Sequence, residues 1–141
     1  MFRLALLAIL AALIAPSACA GQGDLEAVVK RLVGEPTYTT GFDVHELWRS
    51  GDAATITALK ILDPATVRNE KVVSRMIFLI ETAFGNVDMI QAPQDRNPGV
   101  SLLFLEVAAS QEYSPEVKRD IALLRDSLIQ VRRRVAESRV R

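Results

Sequence analysis

Val117, Ile121, Leu124, Leu128, Val131 and Val135 recur at spacings of four, three, four, three and four, the strongest pattern of apolar positions in the chain. Such spacing puts all six on one stripe of an α-helix. Its start is marked by Ser114 as a cap, Pro115 in the first turn and Glu116 at the positive end of the dipole. From Pro115 to Arg139 the helix would extend ~37 Å at ~1.5 Å per residue, enough to cross a whole domain. Leu123 and Ile129 widen the stripe beyond a narrow seam, so the spacing predicts a helix packed on its own core rather than a dimeric coiled coil.

The rest of the chain is also patterned as helix. Asp24 can cap "LEAVVKRLV", which Gly34 and Pro36 stop. Asp43 can cap "VHELWRS", and Asp52 opens "AATITALKIL", which runs to Pro64. Between about Thr66 and Phe84, Val72, Met76, Leu79 and Ala83 form one stripe, with Val73, Ile77, Ile80 and Phe84 beside it. A helix so broadly apolar belongs in the middle of the fold, covered on more than one side. Another helix is predicted from about Gly99 to Ser110. Residues 34–43 and 85–98 read as loops, rich in Gly, Pro and Thr, with a short extended stretch allowed at Thr37 to Thr40. The expectation is therefore an all-α fold of about five to six helices, a small bundle or a short solenoid-like array, forming one domain over residues 21–141.

The first twenty residues differ in kind. Arg3 precedes the uncharged run "LALLAILAALI" from Leu4 to Ile14, followed by Pro16 and small residues. A positive start, a short apolar core and a small-x-small end make up a secretory signal peptide. A membrane span needs ~20 mainly apolar residues, and Pro16, Ser17, Gln22 and Gly23 weaken the far end. Ala18-Cys19-Ala20 places the cut after Ala20, which discards Cys19, the only cysteine in the chain. The alternative is a lipid on Cys19. Ser17 and Ala18 suit a bacterial lipoprotein box, but Pro16 stands where such a box has a Leu-like residue. After ordinary cleavage an oxidising compartment offers the chain no disulfide.

Charge narrows the partners. Without Arg3, sixteen basic residues face seventeen acidic ones, so no global field points to nucleic acid. The balance is uneven, because residues 132–141 hold five arginines against Glu137 alone.

"DPATVRNEKVVSRMI" from Asp63 and "SPEVKRDIALLRDSL" from Ser114 resemble HEAT-like helical repeat units, in which a proline-containing turn leads into a helix with Val and Arg close behind. The resemblance covers about thirty residues, and the 51-residue offset from Pro64 to Pro115 exceeds the usual repeat. It implies a binding scaffold, by analogy of fold.

Candidate chemistry is sparse. His45, the only histidine, lies between Asp43 and Glu46, but zinc takes three or four ligands from His, Cys and carboxylate. That short run is read as a solvated cap region, with no metal or other cofactor expected. Glu81 and Glu106 each interrupt an apolar helix; facing one cleft, they would form a carboxylate pair of the glycosidase type. No nucleophile elbow, phosphate loop or H-E-x-x-H motif occurs. Tyr38, Phe42 and Trp48 gather three of the few aromatic residues within eleven positions. They are read first as a satellite core pinning the loop, and as the best candidate binding surface, with His45 beside them. Arg132, Arg133 and Arg134 point in different directions around their helix; they suit the helix C-terminus and offer contact with an anionic surface. The functional expectation is an exported binding domain of the cell envelope whose partner is another envelope protein. The rivals are a hydrolase using Glu81 and Glu106 or His45, and a carrier holding an apolar ligand between the two broadly apolar helices.

Overall fold

The computed structural model describes residues 22–34, 41–62, 68–85 and 96–140. The expected signal peptide with Cys19, the residue Tyr38 and the possible extended stretch at Thr37 to Thr40 lie outside the described residues. Six helices make up the described part, as the periodicity predicts: α1 Gln22–Gly34, α2 Gly41–Ser50, α3 Asp52–Ile61, α4 Glu70–Phe84, α5 Gly99–Ala109 and α6 Pro115–Val140. Among the described residues there is no strand.

α4 is the centre. Both of its apolar stripes are buried, from Val72 and Val73 through to Ala83 and Phe84. The helices α1, α2, α3 and α6 all pack against it. α5 lies on the far side of α3 and α6 and adds Phe104 and Leu105, neither of them accessible to solvent. In a solenoid each unit touches only its sequence neighbours. Here α1 and α6 both reach α4 from distant parts of the chain, so the architecture is a bundle.

Several helix ends are closed by side chains from other helices. Asp52, in the first turn of α3, accepts hydrogen bonds at 2.9 Å from the backbone N–H groups of Val100 and Ser101, and one at 2.6 Å from the Ser101 hydroxyl. A carboxylate is thereby fixed at the positive end of α5, where the first N–H groups have no partner in their own helix. One turn along α3, Thr55 bonds to Ser101 at 2.7 Å inside the core. Glu70 of α4 accepts from the Ser114 N–H at the start of α6. Arg75 donates to the Val33 and Gly34 carbonyls at the end of α1.

Three boundaries differ from the sequence expectation. α4 begins at Glu70 rather than near Thr66, because the Asn69 side chain accepts from the Lys71 N–H and caps it. α2 begins at Gly41, inside the expected 34–43 loop, and Asp43 is a buried first-turn residue rather than a cap. Asp24 likewise sits within the first turn of α1. Between α2 and α3 a single residue, Gly51, turns the chain at φ 55°, a left-handed conformation that strains any side-chain-bearing residue.

Along α6, Val117, Ile121, Leu124 and Leu128 are buried and Val131 and Val135 half-buried. The stripe loses its cover toward the C-terminus, where α6 outruns α4. Leu124→Ala is expected to cost ~2–5 kcal/mol in a denaturant melt, through lost burial and the cavity left behind. Arg125→Ala, one position round the helix, should stay within ~0.5 kcal/mol. Equal losses would show that the helix register is wrong.

Candidate functional site

The aromatic segment singled out in the sequence becomes the outer edge of α2. Asp43 and Glu46 turn inward and are buried, whereas Phe42 is 59 % exposed and His45 and Arg49 also face outward. This reverses part of the expectation that the whole Asp43–Glu46 run is solvated. Asp43 is paired with Arg31 of α1 and Glu46 with Arg49 at 3.0 Å. The outer edge therefore presents an aromatic ring, an imidazole and the solvent-facing side of the Arg49 guanidinium that pairs with Glu46, over two turns.

Trp48 belongs to the body instead. It is half-buried, its ring centroid 6.4 Å from that of His45 at an interplanar angle of 31°. The Arg96 guanidinium lies over the indole at 4.3 Å, a cation–π contact. Arg96 is almost wholly buried, and its Nη1 donates to the Ala83 carbonyl at 2.9 Å. That carbonyl is one of the last in α4, so the cation also meets the negative end of the helix dipole. Arg96 Nε and Nη2 and Trp48 Nε1 are buried without hydrogen-bond partners, and burial lowers the Arg96 pKa. Sequence reasoning placed Arg96 in a loop, and no periodicity marks such a residue.

Glu81 and Glu106 do not share a cleft. Glu106 is exposed and faces Arg125 at 3.9 Å, on the side of α6 toward α5. Glu81 lies on the opposite flank, in a groove of about 210 Å³ between α4 and α6, with Phe84, Gly85, Leu123, Leu124, Ser127, Leu128 and Val131. A carrier of an apolar ligand would need a cavity between α4 and α5; this groove lies between α4 and α6 and is smaller than the ~300–1,000 Å³ of usual ligand pockets. Arg132, Arg133 and Arg134 are all exposed on the part of α6 beyond α4. Among the described residues no group of three or more His, Cys, Asp or Glu is placed to hold a metal ion.

Comparison with known proteins gives no matching family model, no matching curated protein and no matching solved structure.

Partial burial in the groove, and then the nearby Asp120 charge, raise the Glu81 carboxyl above its ordinary 4.5. A carboxyl whose pKa is raised by folding favours the native state while protonated, and that contribution is lost as pH rises through the folded-state value. Glu81→Gln is therefore expected to raise Tm slightly at neutral pH, measured at low protein concentration. The advantage should shrink on acidification and vanish below the ordinary value of 4.5. A Tm difference independent of pH would mean that Glu81 is fully solvated.

Proposed function

We propose that this chain is an exported helical domain that works by binding another protein of the cell envelope, with the outer edge of α2 as its contact surface. The observation that carries this reading is the arrangement of α2. Phe42, His45 and Arg49 face outward, while the acids of the same helix are turned inward and neutralised by arginines. Aromatic rings and arginines dominate the energy of protein interfaces, and a rigid helix presents them without an ordering cost. Tyr38 stands four residues before Phe42 in the sequence. Trp48 anchors the helix from behind through Arg96. Arg132, Arg133 and Arg134, exposed on the C-terminal part of α6, suit an acidic surface on the partner or on the membrane beside it.

Export rests on residues 1–20, whose charge, apolar run and small-residue end match a cleavable signal. Among the described residues no helix is long and apolar enough to cross a membrane. Intact-mass measurement of the exported protein is expected to give a chain beginning at Gly21. A mass beginning at an acylated Cys19 would replace cleavage with a lipid tether.

A photoreactive residue at position 45 of the exported protein, activated in whole cells, should give a specific cross-linked species. Phe42→Ser should remove that species while leaving stability within ~0.5 kcal/mol, since the ring is exposed. Cross-linking unchanged by Phe42→Ser would reject the α2 edge as the contact surface.

A further inference from the structure

The outer flank of α6 reads the same backwards with its charges exchanged. At 3.6 residues per turn, Asp120, Leu123, Ser127, Val131 and Arg134 lie close to one line along the helix. That line is about a quarter turn from the buried Val117–Leu128 stripe. Counted from Ser127, Leu123 and Val131 stand four residues to either side, and Asp120 and Arg134 stand seven. Leu123 is 62 % exposed and Ser127 and Arg134 are exposed, while Val131 and Asp120 are half-exposed. Leu123, Ser127 and Val131 also form one wall of the groove whose other wall carries Glu81 and Gly85 of α4.

We propose that two copies of this chain associate antiparallel about a two-fold axis at Ser127, the α6 of each lying along the α4–α6 groove of the other. In that register Leu123 meets the second copy's Val131, and Ser127 meets its own counterpart, where a small side chain lets the backbones approach. Asp120 meets Arg134. Glu81 lies beside Asp120, so the same cation answers both carboxylates; Asp120 is otherwise met by Arg119 of its own helix, at 3.8 Å. A two-fold contact requires a self-complementary patch, and this one is complementary in the order of its side chains and in charge. A parallel pairing would set Asp120 against Asp120 and Arg134 against Arg134. An anionic membrane would meet Asp120 and Glu81 on the same flank.

The length of α6 points the same way. Its midpoint falls next to Ser127, so an axis there brings the two helices flush from end to end. The segment beyond Val131, which has no cover from α4, then lies against the N-terminal half of the second copy's α6. The buried stripe is untouched, so each copy keeps its own core. This inference rests on neither export nor an envelope partner, and Phe42, His45, Arg132 and Arg133 stay outside the seam.

Two helices meeting along one flank bury less than the ~1,600 Å² of a standard complex, so the expected dissociation constant is micromolar. Sedimentation velocity on the exported protein should show monomer giving way to dimer as concentration rises through that range, and dimer weakening with added salt. Asp120→Arg and Arg134→Asp should each weaken association at least tenfold, and the double exchange should restore it to within about threefold. All four positions of the test, Asp120, Ser127, Arg134 and Ala136, reach solvent, and circular dichroism melts establish that each variant is folded. Mild oxidation of Ser127→Cys should give a disulfide-linked dimer mapped to position 127, and Ala136→Cys, nine residues from the axis, should not. Monomer at every concentration, failure of the double exchange to restore association, or equal cross-linking at positions 127 and 136 would each overturn the proposal.

Discussion

A helix with two adjacent apolar stripes cannot be satisfied by one neighbour, and α4 imposes that condition on the rest of the fold. Met76, Leu79, Ile80 and Ala83 are fully covered. At ~1.5–3 kcal/mol for each large side chain taken from water, this burial decides where the other helices go. α1, α2 and α3 cover one side and α6 another, and what remains is the narrow strip of Lys71, Ser74, Phe78, Glu81 and Gly85. The groove beside α6 lies along that strip. Its position follows from the one direction in which, among the described residues, no helix packs against α4.

Burying helices this closely brings their unpaired ends out of water, and the chain meets that problem with side chains borrowed from elsewhere. Asp52 serves the start of α5, Glu70 the start of α6, Arg75 the end of α1 and Arg96 the end of α4. Each puts a charge of the favourable sign at a helix dipole and ties two elements distant in sequence. These contacts explain polar residues at buried or half-buried positions without invoking chemistry. They also account for much of the charge that first suggested it: Asp43, Glu46 and Arg49 are parts of ion pairs, and Glu106 stands against Arg125.

The helices themselves were legible because burial on one side leaves a local period of 3.6, and α4, α5 and α6 carry it strongly. Ser114 and Pro115 marked the start of α6 correctly because capping is also local, and Ser114 Oγ accepts from the Val117 N–H. Asp43 was misread by the same rule. It has the identity and position of a cap, but its partner Arg31 lies twelve residues earlier on another helix, and that pairing outweighs a local cap. Asp52 and Arg96 were unreadable for the same reason, since their roles depend on which helix ends meet. The separation of Glu81 from Glu106 depends on α6 running between them, a fact of packing that neither residue's own helix encodes.

The exposed end of α6 raises the question of what keeps it helical. Nine or ten residues alone would not form a stable helix in water, because nucleation is costly and short segments do not recover it. Here the nucleus already exists in the packed part of α6, and each further residue adds one hydrogen bond against the cost of fixing a single residue. Arg139 lies in the last turn, at the negative end of the dipole, where a cation contributes ~0.3–1 kcal/mol at low salt. The extension is therefore held by continuity with the packed part of α6 and by charge at its end. Arg139 serves the helix whatever else it touches, and the ordering cost of presenting Val131, Arg134 and the rest of that flank is met within the fold.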